Sequence, residues 1–439
     1  MRGGSMRAPR PAFLTAALAA AAVCAAPPLL AAPEPTGRDT AVAWFDGLVG
    51  LVGAEALSPV VAARVYGYSS VAFFETLVPW SRDLRSLSGQ LTDLGPVPGP
   101  NRNLDYDAPA AAVVAAGGVA RGLLGPGAQE ALAALEQQLV TERYYRPGTS
   151  AAAIDRSLEH GRSIAREILD WASTDGYGLL ARCPYTPPAG AGLWRTTPPA
   201  FAPALEPCWG ALRPMVLESG STCQVEPPPT YSETPGSAFY VEGREVYDVS
   251  RTLTEEQRTI ALFWADNPGQ TGTPAGHWMR IVGFVAAQEG LDVYTTAEAY
   301  ARTGIAVNDA FINCWYTKYS YNLLRPIDYI RKLFDPGWVT AQGLPTPPFP
   351  EYTSGHSTQS GASATILSDL FGIVGFTDST HVDRGLAPRR FPSLEAGARE
   401  AAISRLYGGI HYRAAIEIGL DQGRCVAANV LARVRFRQP

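Results

Sequence analysis

At 439 residues the chain is long enough to bury a large core, in one domain or two. Hydrophobic residues at 46% and charged residues at 18% are the proportions of a globular protein and exclude a disordered chain. The net charge is −5, with Lys and Arg scattered and no run of like charges, so no surface for nucleic acid or anionic membrane is indicated.

Residues 1–32 read as an export signal. Arg2, Arg7 and Arg10 form a positive start, an Ala/Leu-rich apolar stretch follows, and small residues near Ala25–Ala32 offer cleavage points. A membrane anchor is the competing reading, but Pro27 and Pro28 interrupt the stretch and favour cleavage. The expected location is secreted or periplasmic. No later segment approaches the ~20 apolar residues of a membrane helix, so no stable membrane insertion is expected after cleavage. Beyond Cys24 five cysteines remain: Cys183, Cys208, Cys223, Cys314 and Cys425. An exported chain can pair some of them, but the number is odd and spacing does not say which. No CxxC or Cys/His pattern of a zinc site is visible.

An N-terminal helical half is expected over 39–180. Apolar residues recur at helical spacing from Asp39 to Leu77 with a break at Ser58-Pro59, and three further helices read as Ala108–Leu124, Ala128–Tyr145 and Ala151–Thr174. The segment 181–250 is rich in Pro and Trp, reads as a long loop carrying cysteines, and packs on a surface or links two halves. Helices resume at Thr254, where Thr254 and Gln257 form a capping box, and continue through a C-terminal half over 251–439. Strand alternation is almost absent, so the fold class is all-α.

Three short segments carry chemistry. Lys318 and Arg325 are seven residues apart, two helical turns, which predicts both cations on one face before Pro326 ends or kinks the helix. Taken alone, they fit an ordinary solvated face. Ser354-Gly355-His356 stands where a Pro-rich loop feeds a small-residue helix, with a hydroxyl, an approachable backbone N–H and a proton-transfer group together. A capping Ser beside a surface His is the plainer interpretation. Ser404-Arg405 precedes Gly408-Gly409 and His411. Together these residues make a shell whose cations offset the charge of a tetrahedral oxyanion.

The order Lys-x6-Arg-Pro, Ser-Gly-His, Ser-Arg-x5-His resembles the signature of the vanadium haloperoxidase and type 2 phosphatidic-acid phosphatase superfamily. "FWAD" (263–266), "GHW" (276–278), Asp309-Ala310 and "LWRTTPP…ALEPCWG" (193–210) look like its exported bacterial haloperoxidase branch. The resemblance implies two four-helix bundles with the site at one end of the second. It implies that Lys318, Arg325, Ser354, the Gly355 N–H and Arg405 hold the oxygens of vanadate, with His411 as the ligand to vanadium. His356 would be the acid/base, and Lys318 would polarise peroxide for halide attack. Trp315 and Phe349 look like the halide pocket, and Asp266 is expected to pair with Arg405.

Three departures stand out. Thr353 replaces a usual Pro, which is expected to loosen the loop, and Leu324 replaces a frequent Trp. Ala415 stands where phosphatase members place an Asp behind the histidine, leaving Glu417 nearest and a backbone carbonyl as the alternative partner of His411. The resemblance thus implies a vanadate-dependent haloperoxidase oxidising bromide, and chloride second, with hydrogen peroxide. The alternative is an exported acid phosphatase that cleaves phosphate esters through a phosphohistidine. A non-catalytic oxyanion binder is disfavoured by the complete shell. Relatives often form homo-oligomers, but no self-complementary surface is legible. The other histidines read as ordinary: His160 on a polar helix face, His381 in a loop, His277 packing near Trp278.

Overall fold

The computed structural model describes Met1 and residues 36–439; the export signal expected at 1–32 lies outside the described residues apart from Met1. The N-terminal helices are α1 (Gly37–Ala54), α2 (Pro59–Leu77), α3 (Ala108–Leu123), α4 (Gln129–Tyr144) and α5 (Ala151–Ser173). There follow α6 (Ala238–Arg251), α7 (Glu255–Phe263), α8 (Thr273–Gln288), α9 (Val293–Tyr321), α10 (Pro326–Leu333) and α11 (Gly355–Phe371). Strands β1 (Phe376–Asp378) and β2 (Arg389–Phe391) form one antiparallel hairpin before α12 (Leu394–Tyr407) and α13 (Arg413–Arg433). The chain from residue 35 onward is a single unit by its internal contacts. Among the described residues no helix is long and apolar enough to cross a membrane.

The starts of these helices are written locally. Ser58, Asp107, Ser150, Ser237, Asp292 and Ser393 each accept the backbone N–H three residues on, and Thr254 with Gln257 makes the expected capping box. Helical structure resumes earlier than expected, however. Residues 238–250, placed in the loop segment by composition, belong to α6, which Ser237 caps and which buries Phe239, Val246 and Tyr247 on one face.

The rest of the 181–250 segment is largely irregular and partly exposed, but it buries Trp194, Trp209 and the stretch around residues 215–217. A buried loop must satisfy its backbone. Asp309 of α9 does this for one stretch, accepting the N–H groups of Met215, Val216 and Leu217 at 2.7, 2.8 and 3.0 Å. Two disulfides staple the segment: Cys183–Cys208 within it, and Cys223–Cys425 to α13; Cys314 remains a buried thiol.

The 29-residue α9 is the spine, packing on α2 along one side and on α11 and α13 along the other, so one apolar cluster runs through both helical halves. Where α11 crosses α13, glycine is required by close approach. A Cβ on Gly361 would lie 2.5 Å from the Leu420 carbonyl oxygen, and one on Gly423 2.0 Å from that of Thr358. This contact brings the start of α11 against α13 and the end of α9, and the candidate site is built there.

Candidate active site

α9 ends at Tyr321 because Asn322 turns left-handed (φ 50°) and returns its N–H to the Lys318 carbonyl. Arg325 then takes extended backbone as the N-cap of α10, and Pro326 starts that helix at N1. The expectation of one continuous face therefore fails: Lys318 sits on the last turn of α9 and Arg325 beyond the break. They converge all the same, because both reach the irregular loop before α11. Lys318 Nζ donates to the carbonyls of Pro350 at 3.1 Å, Glu351 at 2.9 Å, and Thr353. Arg325 donates from Nε to the Phe349 carbonyl at 2.8 Å and from Nη1 to that of Ile410 at 2.9 Å. Both cations are fully buried.

Ser354 caps α11 by accepting the Ser357 N–H at 3.3 Å, so Gly355 and His356 occupy its first turn. Thr353, expected to loosen this loop, ties it down instead. Its hydroxyl donates to Gln422 on α13, and Gln422 donates in turn to Thr317 of α9 at 2.8 Å. Arg405, near the end of α12, donates to Ser404 Oγ at 3.0 Å and the Ala261 carbonyl at 3.2 Å. The Gly408–Gly409 turn separates α12 from His411, with Gly409 at φ 77°.

His411 has a partner that its sequence neighbourhood does not reveal. Its Nδ1 lies 2.7 Å from Glu351 Oε1, which also accepts the Tyr412 N–H at 2.9 Å. An oxygen accepting from Tyr412 is best served by a second donor, which puts the His411 proton on Nδ1 and leaves Nε2 an acceptor, facing Arg325 Nη1 at 3.4 Å. Neither Glu417 nor a backbone carbonyl is that partner. Glu417 instead binds Arg413 at the surface.

A cavity of about 160 Å³ opens between these elements. Gly355, His356, Arg405, His411, Trp315, Phe349 and Asp266 line it, with apolar wall from Phe311 and the Pro345–Pro348 loop. Lys318, Arg325 and Ser354 are not among its lining residues. The Trp315 and Phe349 rings stand 4.7 Å apart, and Lys318 Nζ lies 5.1 Å from the Phe349 centroid. His356 Nε2 is a buried polar atom without a hydrogen-bond partner, and so are Arg325 Nη2 and Glu351 Oε2 on the two residues that contact His411. Such atoms are costly unless something binds them. Three buried cations, an unprotonated His411 Nε2 that meets only the Arg325 guanidinium, and an unpartnered His356 Nε2 fit a tetrahedral oxyanion such as vanadate.

The electrostatics agree with an anion site. Burial lowers Lys318 to about 8, and lowers Arg325 and Arg405 to about 10. His411 and His356 are held well below the usual histidine value, first by burial and then by the arginines, so both are neutral. The Trp264 carbonyl accepts from the His356 ring, leaving Nε2 as its free nitrogen. Burial raises Glu351 to about 8 against the pull of Arg325 and Lys318.

Asp266 does not pair with Arg405 as expected. Its Oδ2 lies 2.9 Å from His277 Nδ1 and its Oδ1 faces His381 Nε2 at 3.2 Å. The other nitrogen of His277 meets Asp378 at 2.7 Å. Burial opposes charge here, but the paired groups outweigh it, holding Asp266 well below the carboxylate range and raising His277 to about 10. His277 and His381 are therefore more than a packing residue and a loop residue; both are buried against carboxylates. His160 is buried too, edge-on to Trp80 and Tyr106, not on a water-facing surface.

Fold and cavity together define a helical-bundle protein with a buried, cation-rich oxyanion site. Residues 298–438 match the family model described as the VCPO second helical-bundle domain. The solved structure of a bacterial vanadium-dependent iodoperoxidase superposes with a TM-score of 0.86, at 37% identity over 92% of this chain and 97% of that one. The chain belongs to the vanadium-dependent haloperoxidase family. A bacterial vanadium-dependent chloroperoxidase in its holo form shares the fold at a TM-score of 0.67 and 17% identity, over 90% of this chain and 95% of that one. The vanadium chloroperoxidase of Curvularia inaequalis is 30% identical over an alignment covering 36% of each chain, so the chain spans about a third of that curated relative.

Proposed function

We propose that this protein is an exported, vanadate-dependent haloperoxidase that oxidises halide with hydrogen peroxide to hypohalous acid. The observation that carries the proposal is the buried shell itself: three cations around two neutral histidines, His356 with Nε2 unpartnered and His411 with Nε2 turned to Arg325 Nη1 at 3.4 Å. The 37% identical relative is an iodoperoxidase, so iodide, the most easily oxidised of the three halides, is the first substrate to expect, then bromide, then chloride. Export is supported by two disulfides, which persist in oxidising compartments.

In this assignment His411 Nε2 would be the ligand to vanadium in place of its long contact with Arg325 Nη1, and Glu351 holds the ring in the tautomer that keeps the Nε2 lone pair available. Arg325, Arg405, Ser354 Oγ and the Gly355 N–H bind the oxyanion's oxygens. Lys318 already gives its protons to three carbonyls, so it acts through its field or by exchanging one of them. Bound vanadate supplies Lewis acidity that activates peroxide without a change of oxidation state. His356, neutral and with Nε2 open, takes the proton of the incoming peroxide. Trp315, Phe349 and the proline loop keep water from the halide's approach.

Glu351 bears on the phosphatase alternative. Ala415 lacks the Asp of the phosphatase pattern, but Glu351 stands behind His411 regardless and would also orient a histidine nucleophile. The test is therefore run in parallel on vanadate-loaded and metal-free protein: peroxide-dependent oxidation of iodide and bromide, beside hydrolysis of a phosphate ester. Halide oxidation that requires vanadate and is inhibited by phosphate supports the proposal. Ester hydrolysis inhibited by vanadate, with no halide oxidation, would sink it.

A further inference from the structure

Behind the oxyanion cavity lies a second one of about 230 Å³, and Asp266 lines both. Its polar wall is the histidine–carboxylate cluster, and the residues of that cluster are spread over 116 positions of sequence yet meet in one buried place. The ligand atoms that Asp266, His277 and His381 offer lie within 4.8 Å of one another. We propose that Asp266, His277 and His381 bind one divalent transition-metal ion of the zinc type, distinct from the oxyanion site, with Asp378 orienting His277.

The donor set and spacing carry this. Around a tetrahedral zinc ion with ligand bonds of about 2.0–2.1 Å, neighbouring ligand atoms stand about 3.3 Å apart. Asp266 Oδ2 is 2.9 Å from His277 Nδ1, and Asp266 Oδ1 is 3.2 Å from His381 Nε2, so small shifts make room for an ion. Asp266 Oδ1 and His381 Nε2 face each other off hydrogen-bonding alignment, and among the buried atoms both lack a hydrogen-bond partner. The remaining nitrogen of His277 is held by Asp378 at 2.7 Å, the carboxylate–histidine arrangement that supports a metal ligand from behind. The open position faces the second cavity, where Thr380 and Gln270 also stand and a water fits.

The competing occupant is a proton on His277 Nδ1, shared with Asp266, which makes the cluster a plain buried ion pair. Metal binding displaces that proton.

The experiment uses full-length mature protein, freed of metal by chelation and titrated with Co²⁺ at neutral pH, with and without orthovanadate present. The proposal expects a single equivalent bound, visible d–d absorption of a tetrahedral N/O site, displacement by Zn²⁺, and no competition from orthovanadate. His381→Gln should weaken Co²⁺ by about 100-fold, and Asp378→Asn by about 10–100-fold, whereas His160→Gln should bind like the parent. Circular dichroism checks that each variant is folded; if His381→Gln is not, Asp378→Asn decides. No retained Co²⁺ in the parent protein, or equal binding by the folded variants, overturns the proposal and leaves the cluster an ion pair. Neither outcome touches the haloperoxidase assignment, which the halide assay tests separately.

Discussion

Two buried polar clusters lie on either side of Asp266, and they are charged in opposite senses. On the cavity side, Lys318, Arg325 and Arg405 surround two histidines with one carboxylate, Glu351, and both histidines are driven neutral. On the far side, Asp266 and Asp378 enclose His277, which is driven up to about 10. Without a metal ion in the far cluster, the same side chain is thus a lone-pair donor in one cluster and a cation in the other. Burial alone would make every one of these histidines neutral; the neighbouring charge decides. The cavity side is left short of negative charge, as an anion site should be, and the far side supplies its own.

The sharpest way to break this contrast is to remove the central cation of the far cluster. His277→Gln leaves Asp266 and Asp378 buried without their shared partner and should cost about 3–5 kcal/mol in urea unfolding of metal-free protein. A loss below about 1 kcal/mol would mean that His277 is not charged. Next comes Glu351. Glu351→Ala should lower orthovanadate affinity by about 10–100-fold, whereas Glu351→Gln, which still accepts from His411, should lose less. Equal binding by both variants and the parent would remove Glu351 from the site.

Lys318 gives a pH prediction with two opposed signs. Its folded value of about 8 lies below the ordinary 10.5, so the unfolded chain binds more protons between these values. The stability of anion-free protein should therefore rise with pH across that window. Orthovanadate affinity should do the opposite, staying level below pH 8 and falling by up to about tenfold per pH unit above it, as the cation is lost. Denaturation and equilibrium binding at stepped pH check both, and parallel trends would contradict the assignment. The smallest effect is expected at Thr353: Thr353→Val breaks the link to Gln422 and should cost about 1 kcal/mol, read from thermal unfolding.

What was legible in the sequence follows the range of the interaction. Helix starts were readable because Ser58, Asp107, Ser150 and Thr254 act on N–H groups three residues away. The cation and histidine shell was readable because its motifs keep fixed local spacing. Even there the mechanism of convergence was misjudged: a left-handed Asn322, not a shared helix face, carries Arg325 to the site. Glu351 sits in the same Pro-rich segment as Ser354, yet its meaning depends on His411, sixty positions later. A lone carboxylate amid prolines and aromatics near a cation shell was the available signal. Asp266, His277, Asp378 and His381 give no such hint, since the hairpin of β1 and β2 delivers two of them from over a hundred residues away. The same holds for Cys223–Cys425, separated by 202 positions. Composition places residues 238–250 in the loop segment because the polar, Glu- and Arg-rich face of α6 masks one apolar stripe.

The claim at the centre is that the two cavity histidines do different work, His411 holding the anion and His356 moving the proton. Orthovanadate binding and peroxide-dependent iodide oxidation, measured side by side on His411→Ala and His356→Ala, test it most directly. His411→Ala is expected to lose tight binding and turnover together, while His356→Ala binds orthovanadate like the parent and loses turnover alone. Tight binding retained by His411→Ala, or full turnover by His356→Ala, would contradict it.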